Sequence, residues 1–200
     1  MYDRRAVDAV LDEALVCHLG FVHDGHPYVI PTLHARVEDT VYVHGSAASR
    51  MLRTLADGAS VCLTVTLVDG LVLARSAFHH SVNYRSAVVL GEARLIDDPG
   101  EKQTALRAFT EQIVPGRWKD VRPPTPQELK ATSVLALPLR EASVKMRTGA
   151  PADDEADYAL DIWAGIIPLS HQALAPEDDP RLAPGINAPL YARNYSRGRP

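Results

Sequence analysis

The chain has 200 residues, 46% of them hydrophobic, and sets 21 Lys and Arg against 25 Asp and Glu for a formal charge of −4. That length suits one domain with a full hydrophobic core, and the mild acidity argues against nucleic acid as a partner, because a polyanion binder carries a basic excess or stripe. The start, Met1 to Arg5, is charged rather than a signal-like apolar run, and no apolar stretch approaches the roughly 20 residues that span a bilayer.

In chain order, residues 5–17 predict an amphipathic helix, with Val7, Val10, Leu11, Ala14 and Leu15 at spacings of three and four. The period then changes to two. Residues 18–45 predict a three-stranded antiparallel meander, broken at Asp24-Gly25 and Glu38-Asp39. A helix follows, with Ser46 or Ser49 as N-cap and Met51, Leu52 and Leu55 as its apolar stripe. Strands are expected at Ser60–Val68 and Leu71–Ala77, with a turn at Asp69-Gly70, and again over Asn83–Ile96. Asp98-Pro99-Gly100 starts a helix that buries Ala105, Leu106 and Phe109, and Pro115-Gly116 stops it. Pro123 to Pro126 leads to a helical turn, Gln127–Ala131, then a strand over Ser133–Met146, an acidic loop and a last short strand, Tyr158–Ile167.

Residues 175–200, rich in Pro, Gly, Asn and Arg, read as an extended tail behind a single domain spanning 1–174. About six strands with two or three helices favour an antiparallel barrel with peripheral helices, because a doubly wound parallel sheet needs regular βαβ alternation. Cys17 and Cys62 sit in apolar runs and read as buried thiols of a reducing compartment, so a cytoplasmic protein is expected.

No phosphate-binding Gly loop, nucleophile elbow or C-x-x-C is present, and the adjacent His79 and His80 would face opposite sides of a strand. No metal centre is expected. Two stretches carry chemistry. Tyr42 to Met51 runs from a strand through a Gly/Ser/Ala turn into a helix start, where hydroxyls, N–H groups and Arg50 suit a phosphate; an ordinary cap with solvated arginines is the equal alternative. Phe78 to Ser86 is polar and aromatic between apolar strand residues, as at a ligand or subunit contact, with a plain connecting loop as the alternative.

The order G-H-P-Y-V-I-P (Gly25–Pro31), V-Y-V-H-G-S-A-A-S-R-M (Val41–Met51) and F-H-H-S-V-N-Y-R-S-A-V-V-L-G-E-A (Phe78–Ala93) resembles the FMN-binding split-barrel superfamily. Its nearest branch is the pyridoxamine 5'-phosphate oxidase-related proteins, which include nitroimidazole-resistance proteins. The W-A-G-I-I-P core, Trp163 to Pro168, is similar to that branch's C-terminal strand. The resemblance implies a mainly β, six-stranded antiparallel split barrel. It also implies a homodimer that holds FMN at the subunit interface and acts as an oxidoreductase on a small-molecule substrate. Ser49 and Arg50 would hold the phosphate, His44, Gly45 and Ser46 would line the ribityl chain, and Thr64 and Val65 would approach the isoalloxazine. Tyr84, Arg85 and Ser86 would complete the nucleotide site, and Trp163 would cover the ring. Lys145-Met146-Arg147 stands where the vitamin-converting oxidase carries R-x-R-L, which points away from pyridoxine phosphate as substrate. A non-enzymatic carrier of flavin or haem, or a deazaflavin protein, is the alternative on this fold.

Overall fold

Alternation along the first strand sets the architecture. In β1 (Val16–His23), Cys17, Leu19 and Phe21 are buried while Val16, His18 and Val22 are exposed, the period-two pattern of a strand with one face on a core. The computed structural model describes residues 3–197. Before β1 lies helix α1 (Arg4–Glu13), capped by Asp3, which accepts from the Arg5 N–H at 3.0 Å and turns Val7, Val10 and Leu11 inward. After β1 the Asp24-Gly25 turn, with φ of 51° and 77°, closes a two-residue hairpin onto β2 (His26–Val37).

The chain continues through β3 (Thr40–Ser46), α2 (Arg50–Ala56), β4 (Ser60–Leu73), β5 (Ser81–Glu92) and β6 (Arg94–Leu95). Then come α3 (Pro99–Ile113), α4 (Pro126–Ala131), β7 (Thr132–Pro138), β8 (Glu141–Arg147), β9 (Gly165–Pro168) and α5 (Leu190–Arg193). All strand pairs are antiparallel, in the order β6-β7-β3-β2-β1-β4-β5-β8, with β9 on β4. The long β2 pairs with β1 along its first part and with β3 along its last, so one bent strand joins the two halves of the curled sheet.

Two cores result. The inner one gathers Leu19, Leu63, Val65, Val89 and Leu135 from the strands, closed by Val10 and Leu11 of α1 and by Leu52 and Leu55 of α2. The second lies on the opposite face of β3 and β7, where Tyr42, Val134 and Ala136 pack under Ala105 and Phe109 of α3. β3 is therefore buried on both faces, and its odd and even residues serve different cores. No helix among the described residues is long and apolar enough to cross a membrane.

The mainly β, antiparallel split barrel agrees with the expectation, with nine strands among the described residues rather than six. The expected turn at Asp69-Gly70 is a bulge inside β4, because the strand keeps its partner β5 on both sides of a register shift between Val68 and Gly70. The strand expected over Ser133–Met146 is two, β7 and β8, separated at Leu139 and Arg140. Most of Tyr158–Ile167 is not extended: a short 3-10 turn (Glu155–Ala159) precedes β9. The tail is exposed over 169–187, then forms α5 and returns to the body at Arg197. That guanidinium donates to the carbonyls of Glu13 at 2.7 Å, Asp12 at 2.9 Å and Gln112, and so caps the end of α1.

Candidate functional site

The turn between β3 and α2 is built as its sequence suggests. Ser46 Oγ accepts from the Ala48 N–H at 3.2 Å, and the Ser46 carbonyl accepts from the Ser49 N–H at 2.8 Å. Gly45 lies against Leu52, where a Cβ would come within 3.1 Å of Leu52 Cδ1. Ser49 is the N-cap residue of α2 but makes no side-chain cap bond. Arg50 is exposed, forms no ion pair among the described residues, and holds its guanidinium 5.0 Å from the centre of the Tyr28 ring. Tyr28 in turn stacks on Phe21 at 5.5 Å.

Thr64, Tyr84 and Ser86 share the outer face of the sheet. Thr64 lies opposite His18 on β1, and Thr66 lies opposite Ser86 on β5. Ser86 Oγ approaches the Lys145 carbonyl at 3.5 Å, and Lys145 Nζ lies 5.9 Å from the Tyr84 ring centre. Val65 and Arg85 occupy the opposite parity. The Val65 side chain is wholly within the inner core, so any approach of Val65 to a ligand is through its backbone. Arg85 is buried and already engaged. It donates to Glu13 at 2.8 Å and to Asp69 at 2.9 and 2.7 Å, with a further contact to Glu13, and these hydrogen bonds hold its guanidinium charged well above the usual arginine range. Within one chain the Arg85 charge is thus spent on Glu13 and Asp69. Trp163 is exposed, just before β9.

His44 follows Tyr42 onto the α3 side of β3 rather than onto the turn. Its ring sits 4.1 Å from the Phe109 ring centre, its Nδ1 is buried with no hydrogen-bond partner, and burial lowers its pKa. It lines a cleft of about 520 Å³ whose walls include Leu33, Leu106, Phe109, Ile113 and Trp118, with Arg122 at the rim. A larger cleft of about 1180 Å³, beside Gly20, Tyr28, Cys62 and Arg140, opens at the far end of the hairpin.

Eight of the eleven expected positions thus fall into three places within one chain: the Gly45–Arg50 turn, the outer sheet face, and the α3 cleft that holds His44; Val65 and Arg85 lie on the inner side of the sheet, and Trp163 stands just before β9. The sequence reading missed His18, Thr66 and Lys145, although strand parity with Thr64 and Ser86 marks each of them. His79 is not on a strand; it ends a 3-10 turn, 3.5 Å from Asp154.

A family model described as pyridoxamine 5'-phosphate oxidase matches residues 3–146. No curated protein matches the chain. Among solved structures, the flavocytochrome Anf3 from Azotobacter vinelandii is 44% identical, with a TM-score of 0.93 over 99% of this chain and 92% of that one. An FAD- and haem-binding protein from Mycobacterium smegmatis is 38% identical, with a TM-score of 0.94 over 98% of this chain and 97% of that one. A Bacteroides thetaiotaomicron protein described as a candidate for 5-nitroimidazole resistance shares the fold at 24% identity and a TM-score of 0.59, over 72% of this chain and 84% of that one.

Proposed function

Because the chain belongs to the pyridoxamine 5'-phosphate oxidase family of flavin-binding split barrels, we propose that two copies of it hold a flavin nucleotide between them and pass electrons through it to a small molecule. The observation that carries this reading is the outer face of the β1, β4 and β5 sheet. There the exposed Val22, Val68, Val82 and Leu90 lie beside the aligned His18, Thr64, Thr66, Tyr84 and Ser86. Apolar area around a row of hydroxyls suits a partner subunit with a planar, polar-edged ligand trapped beneath it.

The Ser49–Arg50 corner suits the phosphate end. Its hydroxyl is not spent on a helix cap and its guanidinium has no carboxylate partner among the described residues, so both are available to an anion. Tyr28 supports the guanidinium from below. A nucleotide that reaches from the corner to the outer face would, on this reading, be completed by residues of a second copy. A bound flavin supplies the hydride and electron chemistry, while the chain binds, orients and shields it. Thr64, Thr66 and Ser86 would hydrogen-bond the polar edge of the ring system, and Trp163 would exclude water from one side.

We take the nucleotide to be FMN. FAD is the second reading, favoured by the name of the M. smegmatis protein. The names of both close relatives also support a haem as a second group, and the α3 cleft with its neutral imidazole is chemically suited to one.

The test is the absorbance of the purified protein, followed by chromatography of the acid-released cofactor. Flavin bands and an FMN peak are expected, and an FAD peak selects the second reading. Protein that takes up neither in titration ends the proposal. Arg50→Ala is expected to weaken flavin binding about ten- to hundredfold, the loss of one charge-assisted bond. Flavin reduced by dithionite and reoxidised by no small-molecule acceptor would make the protein a carrier rather than an oxidoreductase.

A further inference from the structure

We propose that His44 is the iron ligand of a haem seated in the cleft between α3 and the β2–β3 sheet. The inference deepens the haem reading given above and rests on it.

The chain offers several imidazoles, and the structure disposes of them differently. His34 is fully buried; its Nε2 bonds the Leu11 carbonyl at 2.9 Å and its Nδ1 also has no partner, but it lines neither cleft. His23 bonds Thr54 at 2.9 Å, and His80 bonds the Ser76 carbonyl at 3.0 Å. His79 lies by Asp154 on an open turn, and His18 stands on the outer sheet face. Among the described residues, His44 is the histidine that lines the α3 cleft, and its Nδ1 has no partner. A buried polar atom without a partner costs about 1–3 kcal/mol, a cost that a structure retains when a ligand supplies what the protein does not.

The surroundings agree. At about 520 Å³ the cleft lies within the ~300–1,000 Å³ of ligand sites. Phe109 packs against the His44 ring, with ring centres 4.1 Å apart, and restricts its rotation. Leu106, Ile113 and Trp118 make the walls apolar, which suits the faces of a porphyrin. At the rim, Arg122 is held by Glu128 at 2.6 Å and gives the acidic substituents of a porphyrin a cation. Ligation itself moves no proton: the lone pair of a neutral imidazole nitrogen forms the bond to iron.

The test is titration of the full-length protein with hemin, read by the Soret band, with flavin content measured in parallel. Wild-type protein is expected to bind hemin with a shifted Soret band. His44→Ala is expected to lose at least tenfold in affinity, to regain an imidazole-type spectrum on adding free imidazole, and to keep its flavin. Ile113→Trp, which adds bulk to the cleft wall and leaves His44 in the sequence, is expected to block hemin while leaving the fold and the flavin intact. Wild-type protein that holds flavin but takes no hemin overturns the haem reading itself. Hemin bound by His44→Ala with unchanged affinity and spectrum overturns the assignment of His44 while the haem reading stands. Loss of flavin together with hemin in both variants overturns it too, by making the cleft part of the nucleotide site.

Discussion

At the scale of single residues, burial decides chemistry that composition cannot. His34 and His44 are both held below the ordinary imidazole range, with burial as the leading cause. The unfolded chain, whose imidazoles titrate near about 6.5, then binds more protons than the folded one as pH falls below that value, so stability is flat above this window and declines within it. The urea midpoint is expected to drop between about pH 7 and about pH 5, and less steeply in His34→Gln. Arg85 makes the converse case. With its side chain 8% exposed between two carboxylates, it holds together α1, β4 and β5. Arg85→Ala leaves Glu13 and Asp69 facing each other, and unfolding free energy is expected to fall by about 3 kcal/mol in denaturant titration, with little change in flavin affinity. Nothing in the tripeptide Tyr84-Arg85-Ser86 distinguishes a ligand-binding arginine from this one. The partners lie 16 and 72 residues away in sequence, and only the fold brings them near.

At the scale of elements, local signals carried far. Asp24-Gly25 makes its hairpin, Asp98 caps α3 by accepting from the Glu101 N–H at 2.7 Å, and Thr125 with Glu128 forms a capping box at α4. Asp69-Gly70 misled because the same dipeptide serves a turn and a bulge, and continued pairing with β5 on both sides decides between them. At Gly70 an added Cβ would meet Ile166 Cγ2 and the Ile167 carbonyl, each at 3.1 Å. Gly70→Ala is therefore expected to push β9 off β4, costing about 1–3 kcal/mol, with faster amide exchange at Ile166 and Ile167 as the local sign. Period-two alternation also sorts β3 correctly, although it cannot say that α3 covers the second face. That is why His44 reads as a neighbour of the Ser49–Arg50 corner in sequence and lies in a different cleft in space.

At the scale of the whole molecule, the barrel was legible from strand periodicity and turn residues, while the site was legible only in part. If the proposed ligand is shared between two chains, its residues are scattered on either one. The exposed Val22 and Val29, at 58% and 68%, belong to a face that one copy leaves in water. Sedimentation is expected to give a dimer at micromolar concentration, and Val29→Lys is expected to shift it toward monomer. A monomer that still binds flavin with full affinity would contradict the shared site.

Arg197 has a practical bearing on anyone shortening this protein. Its guanidinium donates to the carbonyls of Asp12, Glu13 and Gln112, which helix geometry leaves without a donor of their own. Trimming the chain from the exposed stretch onward, Arg197 included, would remove a clasp between the first helix and the third. The milder edit, excision of 170–187 with the last turn re-spliced, preserves that clasp only if the new link still reaches.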